Sequence, residues 1–495
     1  MNKLSRVGSS VLMGLAVGSA TLAPTALAAD PSQPNIIVIY TDDQGMGDVG
    51  YHGYDDIKTP NIDKLAAGGV HFPQAYVSAS VCGPSRAGLL TGVYQQRFGV
   101  YGNFKTTKIP HEQPMMTAMM KEFGYETGVV GKWHMSALTG TPNERGADFF
   151  YGFIGGSHDY YKSDAEEGGK PWLSPIYRNE VAEPPIQEQN GYLTELFTDE
   201  AVGFIERNAD KPFFLHLAHF AVHHPWTVPQ SYIDRVDHLD AGEERKLFAG
   251  MALAMDDGIG EVMETLKKHD LYDNTLIFFM SDNGSPRGQG FVAPRKKARG
   301  ETTMSNPGIY NGFKGDTYEG GIRVPFLMHW PNALPAGAVF EHPVMNLDIM
   351  PTINAVLGGK EGGAGPVPFD GVNLIPFLLG EVGEGEIPHE TLYWRRDQDY
   401  AFREGDWKMT WNDQSGPQTI RLFNIAEDPG EWNDLAFKMP EKTQQMKDKF
   451  DAWESELPEN THAKQRTNRN YEFKNGHRVN VMQFNNEMAD KAERE

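Results

Sequence analysis

Residues 35–43 read "NIIVIYTDD". The apolar run Asn35–Tyr40 has the form of a buried strand, and it ends on Thr41, Asp42 and Asp43. Either aspartate alone reads as a helix cap or an Asx-turn. That reading weakens once "SDNG" (Ser281–Gly284) repeats the pattern on a second strand, since three carboxylates at one point repel one another unless a cation neutralises them.

The same arrangement recurs along the chain. "TLIFFM" (Thr275–Met280) runs into Ser281-Asp282-Asn283-Gly284. "TGVV" (Thr127–Val130) runs into Gly131-Lys132-Trp133-His134. "PFFLHLAHF" (Pro212–Phe220) runs into "AVHHPW", with His223 and His224. "RVPFLMHW" (Arg323–Trp330) is a further strand. Helical patterns lie between them: "NIDKLAAGG" stops at glycine, "TDEAVGFIERN" opens with Thr198 as its cap, and residues 241–270 are a long amphipathic run. Strands alternating with helices give an α/β fold, with a sheet covered by helices on both faces. In open sheets of this class ligands bind beyond the carboxyl ends of the strands. Four apolar strands therefore deliver polar groups to one rim.

A second region begins near residue 381. "TLYWRRDQDYAFREGDWKMTW" alternates and turns at "EGD", and "PEKTQQMKDKFDAWESEL" is helical. This reads as a small antiparallel sheet with a terminal helix over residues 381–458, after a main domain of residues 29–380. The polar tail, residues 459–495, has no clear pattern. At the other end, Lys3 and Arg6 precede the short apolar run Val11–Val17 and the small-x-small site Ala26–Ala28. Residues 1–28 read as a secretory signal peptide, which makes the protein periplasmic or secreted. No cysteine stands directly after the cleavage site and no later segment is long and apolar enough for a membrane helix, so no membrane anchor is expected. The formal net charge of −22 argues against a nucleic-acid binder. An anionic ligand must therefore be drawn in by local positive charge.

The chain has one cysteine, Cys82, in "SVCGPSRAGLLTG" (Ser80–Gly92). An exported chain normally uses cysteines in pairs, and an exposed lone thiol invites oxidation. Cys82 is a buried apolar residue, a thiol nucleophile, or the precursor of another side chain. Pro84 suits the first turn of a helix, which places residue 82 at a helix N-terminus, where free N–H groups favour an anion.

Cys82-Gly83-Pro84-Ser85-Arg86 with Ala87-Gly88-Leu89-Leu90-Thr91-Gly92 resembles the sulfatase signature C-x-P-S-R-A-x-L-L-T-G. "GKWH", "FFLHLAHFAVHHP", "TLIFFMSDNG" and "FKGDTYEGGIRVP" follow in that family's order and spacing. The resemblance implies a large mixed sheet sandwiched by helices, as in alkaline phosphatase. It also implies that Cys82 is oxidised to formylglycine (3-oxoalanine) by a formylglycine-generating or sulfatase-maturating enzyme that reads Pro84 and Arg86. Asp42, Asp43, Asp282 and Asn283, with modified residue 82, would hold Ca²⁺, with Mg²⁺ second: the oxygen donors suit a hard cation, not zinc. Arg86 would stabilise the nucleophile, and Lys132 and Lys314 would grip sulfate. His134 would deprotonate the second hydroxyl, and His223 would serve the leaving oxygen. Val222 replaces the family's usual proline and His224 adjoins His223, so the choice between the two histidines rests on motif register, which favours His223. His216 and His219 read as structural.

Substrate recognition is less legible. The segment between Asn283 and Lys314 carries Arg287, Arg295, Lys296, Lys297 and Arg299, either a solvated loop or a positive funnel for a polyanion. Trp394 and Arg396 from the small domain, and His158 and Asp159 after "GFIGGS", are candidate sugar contacts. Signal peptide, acidity and family together point to a sulfated oligosaccharide substrate, carrageenan-type galactans first and glycosaminoglycans second. Two rival readings stand beside this: a phosphate mono- or diesterase or phosphonate hydrolase of the same superfamily, and a non-catalytic polysaccharide-binding protein. The sequence leaves the oligomeric state open.

Overall fold

The computed structural model describes residues 33–103, 108–166, 170–287, 304–412, 420–459, 471–474 and 477–480. The signal-peptide reading, residues Arg295, Lys296, Lys297 and Arg299, and most of the tail from 459 lie outside the described residues.

The central sheet is mixed. Its strands are β1 (Asn35–Thr41), β2 (Val70–His71), β4 (Glu126–Lys132), β5 (Phe149–Phe153), β6 (Tyr177–Arg178), β7 (Val181–Ala182), β8 (Phe213–Ala218), β9 (Thr275–Ser281), β10 (Phe326–His329) and β11 (Ala338–Val339). The spatial order is β11-β2-β10-β9-β1-β8-β4-β5-β6-β7. The short β3 (Ala75–Tyr76) and β12 (Val344–Met345) pair separately. Strands β9, β1, β8, β4 and β5 are mutually parallel, and β10 runs antiparallel to β9. Burial on both faces explains why β1 reads as a continuous apolar run. Ile36, Val38 and Tyr40 face one apolar layer, and Ile37 and Ile39 face the other. The second layer is closed by the helices Leu193–Arg207 and Glu243–Lys268. Thr198 does not cap the first of these. The helix begins at Leu193, because Leu193 and Phe197 extend its buried stripe, and Thr198 donates its hydroxyl to the Thr194 carbonyl within it.

The small sheet is antiparallel: β13 (Thr391–Arg396), β14 (Asp399–Glu404), β15 (Trp407–Asn412) and β16 (Arg421–Asn424). The helix Pro440–Glu454 covers it with Met446, Phe450 and Trp453. Trp394 is not at the rim. It is 1% exposed, its indole N–H donates to the Val77 carbonyl at 2.7 Å, and its ring lies 5.4 Å from that of Tyr76. It joins the small sheet to the core of the large one. Among the described residues, no helix is long and apolar enough to cross a membrane.

Candidate active site

The parallel register sets Thr41 beside Ser281, so the tips Asp42-Asp43 and Asp282-Asn283 leave the sheet side by side. The backbone reinforces this: Asp282 N–H donates to the Thr41 carbonyl at 2.9 Å, and Val222 N–H to that of Asp42 at 2.8 Å. Lys132 closes β4, and His134 follows in the left-handed region (φ 58°). Asp43 is left-handed too (φ 65°). Such backbone conformations are uncommon outside glycine and concentrate where function fixes a side chain. Gly131 must be glycine, since a Cβ there would lie 2.0 Å from the Ala218 carbonyl oxygen on β8.

Cys82 is the first residue of the helix Cys82–Thr91, all ten residues of which are buried. The helix is clamped from below. The Tyr40 and Ser85 hydroxyls lie 2.8 Å apart, and Asn346 donates to the Ser85 carbonyl at 3.0 Å.

Three carboxylates and three cations meet at this helix end. Oxygens of Asp42, Asp43 and Asp282 lie within 4.8 Å of one another, and so do Asp42, Cys82 and His223. Arg86 donates Nε and Nη2 to Asp282 Oδ2 at 3.0 and 2.8 Å. Lys132 Nζ donates to Asp42 Oδ2. Lys314 Nζ donates to Asp43 Oδ1 at 2.5 Å, and Asn283 Nδ2 to the same oxygen at 2.7 Å. Burial would raise the Asp42 carboxyl, but Lys132, His223, Lys314 and Arg86 together hold it below the ordinary carboxylate range. Asp282 goes the other way: burial and the Asp42 charge push it up to about 7 despite Arg86. One carboxylate of the set is thus under-compensated by the protein alone.

That imbalance fits a cation site. Asp42 Oδ1 and Asn283 Oδ1 are buried without a hydrogen-bond partner, and buried acceptors are rarely left so. The donors are oxygens, as a hard dication requires.

The histidines divide as their burial dictates. His223 is buried, with Nδ1 2.7 Å from the His224 carbonyl and Nε2 3.8 Å from Asp43 Oδ2. His224 is exposed. Burial, then Lys132 and Arg86, hold His134 well below its usual range, and its Nδ1 has no hydrogen-bond partner. The ring is therefore neutral, with one nitrogen left open. Burial likewise keeps His216 and His219 neutral, at about 3 and about 4, inside the fold.

Of the proposed sugar contacts, His158 is fully buried, and its ring nitrogens meet the carbonyls of Asp159 (2.6 Å) and Ser174 (2.7 Å). It has no surface to offer a sugar. Asp159 Oδ1 accepts from the N–H groups of Tyr161 and Lys162. Arg396 donates to the Gly315 carbonyl, one residue from Lys314, and its Nη2 lies 3.4 Å from Asp399. Arg287 pairs with Asp316 at 2.7 Å. Sequence reasoning missed Asn103, whose Oδ1 accepts the Gly83 N–H at 3.1 Å, and the half-exposed Trp172, which lines the same cleft as His134. An aromatic residue in the Gly/Pro-rich stretch "GGKPWLSP" was the available signal for Trp172.

Residues 34–359 match the profile of the family described as Sulfatase. Arylsulfatase J of Mus musculus is 34% identical over 469 residues, covering 84% of this chain and 75% of that one. Among solved structures, Ps i-CgsB in complex with k-i-k-neocarrahexaose superposes with a TM-score of 0.75 at 34% identity, covering 87% of this chain and 94% of that one. PsFucS1 sulfatase from Pseudoalteromonas sp. gives 0.68 at 25% identity, covering 86% and 90%. The chain belongs to the sulfatase family and is a sulfuric ester hydrolase.

Proposed function

We propose that the protein is an exported sulfatase that removes sulfate esters from a sulfated galactan oligosaccharide of carrageenan type, with residue 82 converted to formylglycine and a calcium ion at the strand tips. The observation that carries this reading is the convergence of Cys82, at a buried helix N-terminus, with the Asp42–Asp43–Asp282 cluster and two lysines. The saccharide choice rests on the likeness to Ps i-CgsB, whose structure holds neocarrahexaose, together with the exported, acidic character read from the sequence.

As a thiol, Cys82 would be a poor nucleophile, because burial raises it and Lys132 and Lys314 do not fully offset this. Hydrated formylglycine supplies an oxygen nucleophile in its place. Asp42, Asp43, Asp282 and Asn283 would hold the dication, which polarises the sulfate oxygens and orients the nucleophile when bound. Lys132 and Lys314 then hold the charge that builds on the sulfuryl oxygens. Arg86, with two N–H groups on Asp282 Oδ2, favours that carboxyl's ionised form and keeps the helix end in place. His223 keeps its Nδ1–H on the His224 carbonyl, which leaves Nε2, on a ring that burial holds well below its usual range, to serve the leaving oxygen. His134 accepts the proton from the second hydroxyl as sulfate is expelled. Dividing hydrolysis into transfer and elimination replaces one difficult step with two easier ones.

The test is sulfate release from neocarrahexaose and from glycosaminoglycan oligosaccharides by protein of known formylglycine content, with matching phosphate esters alongside. The reading expects sulfate release to dominate. Faster phosphate ester hydrolysis would favour the phosphoesterase alternative, and saccharide binding without turnover the non-catalytic one. Chelation is a second check. Stripping with EDTA is expected to abolish turnover and lower thermal stability. Ca²⁺ should restore both ahead of Mg²⁺, the stability gain being about 2.7 kcal/mol at a hundredfold excess over Kd.

A further inference from the structure

A cleft of about 310 Å³ opens directly from the reacting centre. Gly83, which follows Cys82, and His134 line it together with Trp172, and Gly155 and Gly156 line it without side chains. Its volume falls at the small end of ligand pockets, ~300–1,000 Å³, a size for a saccharide unit and not for a folded partner. Gly156 is needed here, since a Cβ would come 2.3 Å from His134 Nε2.

Trp172 is 49% exposed, against the usual burial of a ring this large. Its backbone is nonetheless fixed. Asp159 N–H donates to the Trp172 carbonyl at 2.8 Å, Asp164 N–H to that of Leu173 at 2.6 Å, and the buried His158 ring holds that of Ser174. A wet aromatic ring on a rigid turn is pre-organised for contact with a ligand. Lys170 Nζ lies 5.8 Å from the ring centroid, which adds positive charge on a protein of net charge −22. An indole with a cation over one face, in a cleft lined in part by glycine, matches a sugar ring carrying sulfate: its C–H face against the other indole face, its sulfate toward the lysine.

We propose that Trp172 is the stacking platform for a sugar ring of the substrate, its turn Pro171–Leu173 being held by the backbone N–H of Asp159 and, next to it, by the buried His158 ring on Ser174. This rests on the sulfatase reading of the same site. The experiment compares matured wild type with Trp172→Ala and Trp172→Phe on whichever of neocarrahexaose and glycosaminoglycan oligosaccharides the wild type turns over best. Inorganic sulfate serves as a competitive inhibitor that does not reach the platform. Trp172→Ala is expected to raise KM at least tenfold, with KM taking the larger share of the loss in kcat/KM. Phe should restore most of that loss, a tenfold change being about 1.4 kcal/mol, while the Ki for sulfate should hold within about twofold. An unmoved KM, or a Ki for sulfate that rises in parallel, overturns the platform. If matured wild type releases no sulfate from any ester, the reaction assignment fails separately. Calorimetric binding of the same oligosaccharides to Cys82→Ser, with and without Trp172→Ala, then decides the platform alone: equal affinity, or no binding to either, rejects it.

Discussion

Replacing Cys82 with alanine is expected to lower kcat by on the order of 10⁴-fold or more, with the fold intact. Removing the nucleophile from a unit that acts in concert costs most of its rate enhancement. Folding should not suffer. The helix Cys82–Thr91 is held by Tyr40 and Asn346 acting on Ser85, three residues beyond the cysteine, and by full burial of the helix. Far-ultraviolet circular dichroism and the thermal midpoint, in saturating Ca²⁺, check that half of the prediction. Steady-state kinetics on the oligosaccharide checks the other. Serine at 82 should be as inactive as alanine, since a simple hydroxyl lacks the second oxygen needed to expel sulfate. Substantial turnover by either variant would remove residue 82 from the mechanism.

The second large effect is on stability and lies at the join between the two sheets. Lys408 on β15 is fully buried and donates to Glu319 Oε1 at 2.9 Å and to Glu431 Oε1 at 2.8 Å, both carboxylates being buried too. Glu319 Oε2 accepts from Tyr76 and Arg323, and Glu431 Oε2 accepts the Glu319 N–H at 2.7 Å. Removing one partner of a buried network leaves uncompensated charge, so Lys408→Met is expected to cost about 3–5 kcal/mol, read from urea midpoints. Adding Glu431→Gln should recover part of the loss, because the orphaned charge goes with it.

The pH dependence of that loss has a definite sign. In the wild type, burial pushes Glu431 up to about 7, against the pull of Lys408. A carboxyl raised above its unfolded value contributes stability that is complete below the unfolded pKa and lost as pH rises through the folded one. Without Lys408 the folded value climbs further. The deficit of Lys408→Met against wild type should therefore be smallest below about pH 5 and widen above 7. Glu319 runs the other way in the wild type: burial raises it, but Lys408, Arg323 and Arg403 hold it at about 2. Its stabilisation is present above the unfolded value and fades only in strong acid. The same join continues toward Lys314 along the chain: Thr317, three residues after it, donates to the Tyr400 carbonyl of the small sheet at 3.1 Å.

What could be read from sequence follows the range of the interactions involved. The strand tips were legible because a buried parallel strand is a continuous apolar run and its polar terminus is the next residue. Lys132 closes its strand in the same way, whereas Cys82, His134, His223 and Lys314 stood out through the sulfatase-like motifs in which they lie. Partners brought together only by the tertiary fold left no trace. Asn346 beneath Ser85, Arg245 paired with Asp48 at 2.6 Å, and the Lys408 network join distant segments. Trp394 was recoverable. The period-2 alternation of β13 puts it on the same face as the buried Leu392, with Tyr393 and Arg395 opposite. The aromatic and arginine content of "YWRRD" drew attention to function where alternation indicated core. His158 misled differently: it lies near the site but acts through the turn it holds.

The most direct test of the central claim is sulfate release against the fraction of residue 82 present as formylglycine, measured by peptide mass on the same preparations. The account predicts a straight line through the origin, with no release from protein that keeps the thiol. Undiminished release from the unmodified cysteine form, or none from fully converted, calcium-loaded protein, would contradict it.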